Sequence, residues 1–172
     1  MKDLIIAVMA IAIVLVIVLF VVWILEKERH REELARKNMS FMESLNLTGL
    51  PIACFNNNGQ ALNMVLDTGS NACLINQEAL KGLEFTVRGT HDGVMGINGG
   101  GDKNGMLIYL PLSYKSYSFN FECCVSDLSE TFKTIKQEYG VTLHGVLGTD
   151  FFTKYKYILD FNEMIAYSIR KP

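Results

Sequence analysis

Asp67-Thr68-Gly69-Ser70 is the stretch of this chain whose residue types and order could do chemistry. A carboxylate that activates water has to sit on a sharp turn at the end of a buried strand, where the scaffold fixes it and solvent still reaches it. Val65 and Leu66 supply the apolar strand end and Gly69 permits the turn. Thr68 and Ser70 bring hydroxyls within reach of nearby backbone or carboxylate oxygens. About 75 residues further on, Val146-Leu147-Gly148 repeats the apolar approach to a glycine.

Other residues offer less. Gly93, Val94, Met95, Gly96 and Ile97 open a glycine-rich stretch that runs to Asp102. It lacks the lysine and Ser/Thr ending of a phosphate-binding loop, so it reads as a mobile hairpin with apolar contacts. Cys54, Cys73, Cys123 and Cys124 show no Cys-x-x-Cys spacing and have few histidines nearby, so no metal site is expected. They fit buried, small apolar side chains, with a disulfide left open. His91 and His144 read as surface or loop residues. Asp150 and Asp160 lack the setting of Asp67 and read as a helix start and a strand end. No cofactor is implied.

These residues must be positioned by short strands. Residues 50–66 predict a hairpin turning at Asn56 to Gly59, and Ala72 to Ile75 predicts a further strand. Met106 to Leu110 and Tyr117 to Val125 follow. Asp127 and Glu130 form a candidate capping box, and Phe132, Ile135 and Tyr139 recur at helical spacing, which predicts a helix over 128–139 ending before Gly140. A brief helix over Thr149 to Tyr155 leads to a last hairpin, Tyr157 to Asp160 with Ile165 to Ile169. The domain is therefore mainly β with short helices.

Ahead of it, Leu4 to Leu25 is one uncharged apolar run of 22 residues, long enough to predict a transmembrane helix with the lipid bilayer as its partner. Its length and the lack of a small-residue end argue against a cleaved signal. Glu26 to Lys37 carries nine charges in twelve residues and suits a solvated helical stalk. The expected organisation is an anchor at 1–25, a stalk over 26–40 and a domain over 41–172. Five Lys/Arg follow the run and only Lys2 precedes it. The positive-inside rule then places the domain of a single-pass membrane protein in the cytoplasm, the alternative being periplasmic or extracellular. The mean hydropathy of +0.20 reflects that run. Residues 38–172 hold 10 Lys/Arg and 13 Asp/Glu, no basic excess, so nucleic acid is not an expected partner.

Taken together, the apolar-apolar-Asp-Thr-Gly-Ser stretch, the glycine-rich segment after it and Val146-Leu147-Gly148 before a helix resemble the retropepsin-like aspartic proteases, single-domain relatives of the pepsin family. Gly145 to Phe152, followed by Ile158-Leu159-Asp160-Phe161, looks especially like bacterial-type members, and the resemblance covers about residues 48–169. It implies an acid-protease β-barrel and an aspartic endopeptidase acting on a peptide or protein. In that family two carboxylates share a proton. The chain has one Asp-Thr-Gly, so the resemblance implies a homodimer in which Asp67 of each copy completes the dyad. Gly93 to Ile97 would be the flap over the peptide, and Thr68 would lock the two loops across the axis. Ser70 would hydrogen-bond Asp67, where retropepsins commonly carry Ala, and so favour an acidic optimum. The alternative is a catalytically silent retropepsin-fold module for peptide binding or dimerisation.

Overall fold

The computed structural model describes residues 2–36, 40–91 and 105–168. Helix α1 (Lys2–Arg36) runs unbroken from the apolar run into the charged stretch. Among the described residues, however, no helix is long and apolar enough to cross a membrane. The single-pass membrane placement is corrected accordingly, together with the bilayer partner at Leu4 to Leu25 and the cytoplasmic orientation derived from it.

Helix α2 (Phe41–Thr48) begins at a reciprocal cap: Ser40 Oγ accepts from Glu43 N at 3.2 Å, and Glu43 Oε2 accepts from Ser40 N at 2.9 Å. It ends at Gly49, which takes the left-handed conformation at φ 71°. Ser44, fully buried, accepts Ile52 N at 2.9 Å and so ties the helix to the first strand.

The body of the domain is a seven-stranded sheet. Its strands are β1 (Ile52–Asn57), β2 (Gln60–Leu66), β3 (Leu74–Asn76), β4 (Thr86–His91), β5 (Gly105–Tyr114), β6 (Tyr117–Ser126) and β7 (Gly145–Leu147). They lie in the order β1-β2-β7-β3-β6-β5-β4, and a further pairing of Asn56 with Ser113 joins β1 to β5 and curls the sheet into a barrel. Helix α3 (Ser129–Tyr139) and helix α4 (Thr149–Tyr155) flank β7, and β8 (Tyr157–Asp160) pairs with β9 (Ile165–Ser168) in a separate hairpin. The architecture is a mainly-β barrel with a few short helices.

Phe151 of α4 is the centre of the core. It is fully buried and meets Phe55, Phe119, Phe121 and Tyr157 at ring-centroid distances of 5.2–6.0 Å. A smaller cluster of Ile52, Phe132, Val141 and Leu143 seats α3 against the back of β2 and β7. The predicted Asp127/Glu130 box is absent at the start of α3. The N-cap position is Leu128, and Asp127 Oδ1 instead accepts Ser129 N at 3.0 Å.

His144 fixes β7 in its place. Its Nδ1 accepts Asn63 N at 3.0 Å, its own N–H donates to Asn63 O at 2.9 Å, and its carbonyl accepts Asn76 N at 2.8 Å, so one residue bridges β2 and β3. Burial holds its pKa below the ordinary histidine value. The unfolded chain, with a normal pKa of about 6.5, therefore takes up the proton first as pH falls, and stability contributed above that value is lost below it. A thermal-melt series from pH 8 to pH 5 should show wild type losing stability below about pH 6.5. His144→Asn, whose amide oxygen can still accept Asn63 N, should show a flatter profile. A constant difference between the two across that range would rule out His144 titration as the cause.

Candidate active site

The approach to Asp67 is set by β2 lying parallel to β7, with Val65 opposite Val146 and Leu66 opposite Leu147. Leu66 is buried at the strand end, and Asp67 N donates to Leu147 O at 3.0 Å. The chain then leaves the sheet in a tight turn, closed by Ser70 N donating to Asp67 O at 3.3 Å. Inside the turn Gly69 N donates to Asp67 Oδ1 at 2.8 Å, which aims one carboxylate oxygen. Asp67 is half-buried, while Thr68 and Gly69 are exposed.

Gly148 holds this turn from behind. A Cβ at that position would run into the Ala72 carbonyl and come within 2.7 Å of Ser70 O. Only a bare backbone can pass, and it carries Thr149 N to donate to Ser70 O at 2.8 Å. Gly145 has a similar need, because a Cβ there would meet the Leu74 carbonyl and stand 2.7 Å from Met64 Cε. The structure thus brings together the Asp67–Ser70 turn and the Val146-Leu147-Gly148 strand end, two motifs about 75 residues apart. Gly148→Ala should cost about 1–3 kcal/mol of stability through forced displacement of backbone. Urea unfolding measures this, and a loss below a few tenths would mean that the contact is slack.

Ser70 departs from expectation. Its Oγ donates to Ala72 O at 2.7 Å rather than to Asp67. The chain reverses so quickly after Gly69 that the Ala72 carbonyl lies nearer, and a hydroxyl has one proton to give. The argument from Ser70 to an acidic optimum is withdrawn. Ser70→Ala should leave the pH dependence of any Asp67 chemistry in place while lowering stability by about 0.5–1.5 kcal/mol. A raised acidic limb in the pH-rate profile would put the hydroxyl back on the carboxylate.

Asp160 holds a turn: its Oδ1 accepts Asn162 N at 3.0 Å and Glu163 N at 2.9 Å at the tip of the β8–β9 hairpin. Asp150 is exposed in the first turn of α4. The flap positions Gly93, Val94, Met95, Gly96 and Ile97 lie outside the described residues. Among the described residues no group of three or more His, Cys, Asp or Glu could hold a metal ion. The bridging role of His144 and the meeting of Cys73 with Cys123 on neighbouring strands were invisible in the sequence, since both depend on strand order.

The family model described as aspartyl protease matches residues 53–151, which contain both halves of the site. No curated protein sequence matches significantly. Among solved structures, the EIAV protease complexed with the inhibitor HBY-793 aligns at 19% identity and TM-score 0.48, covering 63% of this chain and 90% of that one. The retroviral protease-like domain of Ddi1 from Leishmania major aligns at 13% identity and TM-score 0.47, covering 70% of this chain and 90% of that one.

Proposed function

Because the chain belongs to the aspartyl protease family, with the retropepsin-like form of it, we propose that it is an aspartic endopeptidase whose dyad is assembled from Asp67 of two copies. The observation that carries this reading is the Asp67 turn itself. One carboxylate is aimed by Gly69 N from an exposed turn, and Gly148 locks that turn from behind. The sequence provides one such turn, and the reaction needs two carboxylates. The exposure of Thr68 and Gly69 suits a surface that meets its own copy around a two-fold axis.

In such a pair the two carboxylates share one proton, because like charges at close range cannot both ionise. The ionised one takes a proton from a water lying between them, and the protonated one gives its proton to the scissile carbonyl oxygen. Water oxygen bonds to the carbonyl carbon, giving a tetrahedral diol. Its collapse breaks the C–N bond as the amide nitrogen is protonated, and the dyad returns to its starting state. Val94, Met95 and Ile97 of the glycine-rich stretch are the candidate apolar contacts for the peptide.

Incubation of the full chain with a mixed peptide library tests the proposal. Cleavage at internal bonds, blocked by a statine-type mimic of the tetrahedral state and indifferent to EDTA, is the expected outcome. Absence of cleavage at every pH from 3 to 8, or its loss in EDTA, would overturn it.

A further inference from the structure

The Asp67 chemistry uses no thiol, yet all four cysteines are buried in the barrel, and two of them meet. Cys73 stands where the chain enters β3, three residues past Ser70. Cys123 lies in β6, the parallel neighbour of β3, with Leu74 in register with Cys124. Cys124 N donates to Cys73 O at 2.9 Å, and continuing the parallel register one residue back from Leu74 and Cys124 sets Cys73 beside Cys123. Neighbouring strands run about 4.8 Å apart, within the Cα separations of roughly 4.4–6.8 Å that a disulfide accepts.

The two thiols are not equivalent. The hydrogen bond from Cys123, helped by the backbone N–H groups of Gly148 and Phe151, holds the Cys73 thiol below its usual pKa despite burial, while burial pushes Cys123 well up. Cys73 also lines a cavity of about 190 Å³ that is edged by Glu122, Asp150 and Lys154. That space is several times the roughly 30 Å³ share of a water molecule, so a small oxidant fits.

We propose that Cys73 and Cys123 are a peroxide-responsive pair in which Cys73 is oxidised first and Cys123 resolves it to an intrachain disulfide directly behind the Asp67 turn. The Cys73 sulfur attacks one oxygen of a hydroperoxide. The O–O bond breaks, water or an alcohol leaves with the displaced oxygen, and Cys73 becomes a sulfenic acid. The Cys123 sulfur then attacks the Cys73 sulfur, the S–O bond breaks, and the proton of the Cys123 thiol leaves with the hydroxyl as water. Two thiols and one hydroperoxide give one disulfide, one water and one further water or alcohol. A thiol reductant reverses the change. Ala72, the neighbour of Cys73, has a carbonyl that holds the Ser70 hydroxyl and lies against Gly148, so the cross-link acts on the turn that carries Asp67.

The test treats the folded full chain with hydrogen peroxide and maps its cysteines by peptide mass. Formation of the bond should remove about 2 Da and yield a Cys73–Cys123 linked peptide. Cys123→Ser should trap Cys73 as a dimedone-reactive sulfenic acid, and Cys54→Ser should behave as wild type. A dominant linkage through Cys54 or Cys124, or exhaustive oxidation with no intrachain link, would overturn the pair. These readouts are independent of the peptidase proposal, so failure of one leaves the other standing. With peptide substrate present, activity should fall several-fold on cross-linking and return with dithiothreitol. Unchanged activity in fully cross-linked protein would overturn the coupling to the turn.

Discussion

Asp67→Asn should reduce peptide cleavage by at least ~10²- to 10⁴-fold while leaving the fold intact, because the amide has nearly the shape of the carboxylate but cannot share or relay its proton. The substitution is mild structurally: the amide oxygen can still accept Gly69 N in place of Asp67 Oδ1. The surrounding hydrogen bonds, Asp67 N to Leu147 O and Ser70 N to Asp67 O, are backbone and do not change. Circular dichroism and the unfolding midpoint should therefore match wild type, and the loss should appear in kcat/KM alone. Binding of a statine-type inhibitor should weaken in parallel, since such a molecule mimics the diol that the dyad stabilises. A variant that keeps more than a trace of the wild-type rate would remove Asp67 from the mechanism and return Asp150, exposed at the start of α4, to consideration.

Dilution should have the second large effect. If each copy contributes one carboxylate, a chain well below its dimer dissociation constant has few of the pairs it needs, and specific activity follows the dimer fraction instead of staying constant. Well below that constant, tenfold dilution should lower specific activity by about tenfold. Sedimentation at the same concentrations reports the dimer fraction independently. Full specific activity in a solution shown to be monomeric would contradict the shared dyad.

Much of the fold was legible because it is local. The Asn56 to Gly59 turn between two apolar runs gave the β1–β2 hairpin, and the bounds Thr149 and Tyr155 of α4 follow from Gly148 before them and the strand residues after. Helix α2 escaped notice although Ser40 and Glu43 spell a capping box and Gly49 a terminator. Its buried face is Phe41, Ser44 and Thr48, and two hydroxyls there hide the amphipathic pattern. The start of α3 misled in the opposite way, since Asp127 and Glu130 have the spacing of a box but one residue out of phase with the helix.

The site was half legible for a related reason. Asp67 and Gly69 act through neighbours two residues apart, so the turn could be anticipated from its own letters. The need for glycine at 148 comes from the Ser70 and Ala72 carbonyls, and the insertion of β7 between β2 and β3 is a non-local pairing that no window of sequence contains. Ser70 illustrates the limit of motif reasoning: a hydroxyl beside a carboxylate in sequence turned to a carbonyl two residues on.

The most direct test of the shared dyad is a mixing experiment. Wild-type chain at fixed concentration is unfolded and refolded with increasing amounts of Asp67→Asn, at totals where all chains are paired, and the peptidase rate is recorded. If both carboxylates are required, mixed pairs are inactive, and the rate should fall to about one half at an equal amount of variant and to about one tenth at a ninefold excess. A rate that stays at the wild-type value throughout would show that each chain works alone, and the two-copy dyad would be wrong.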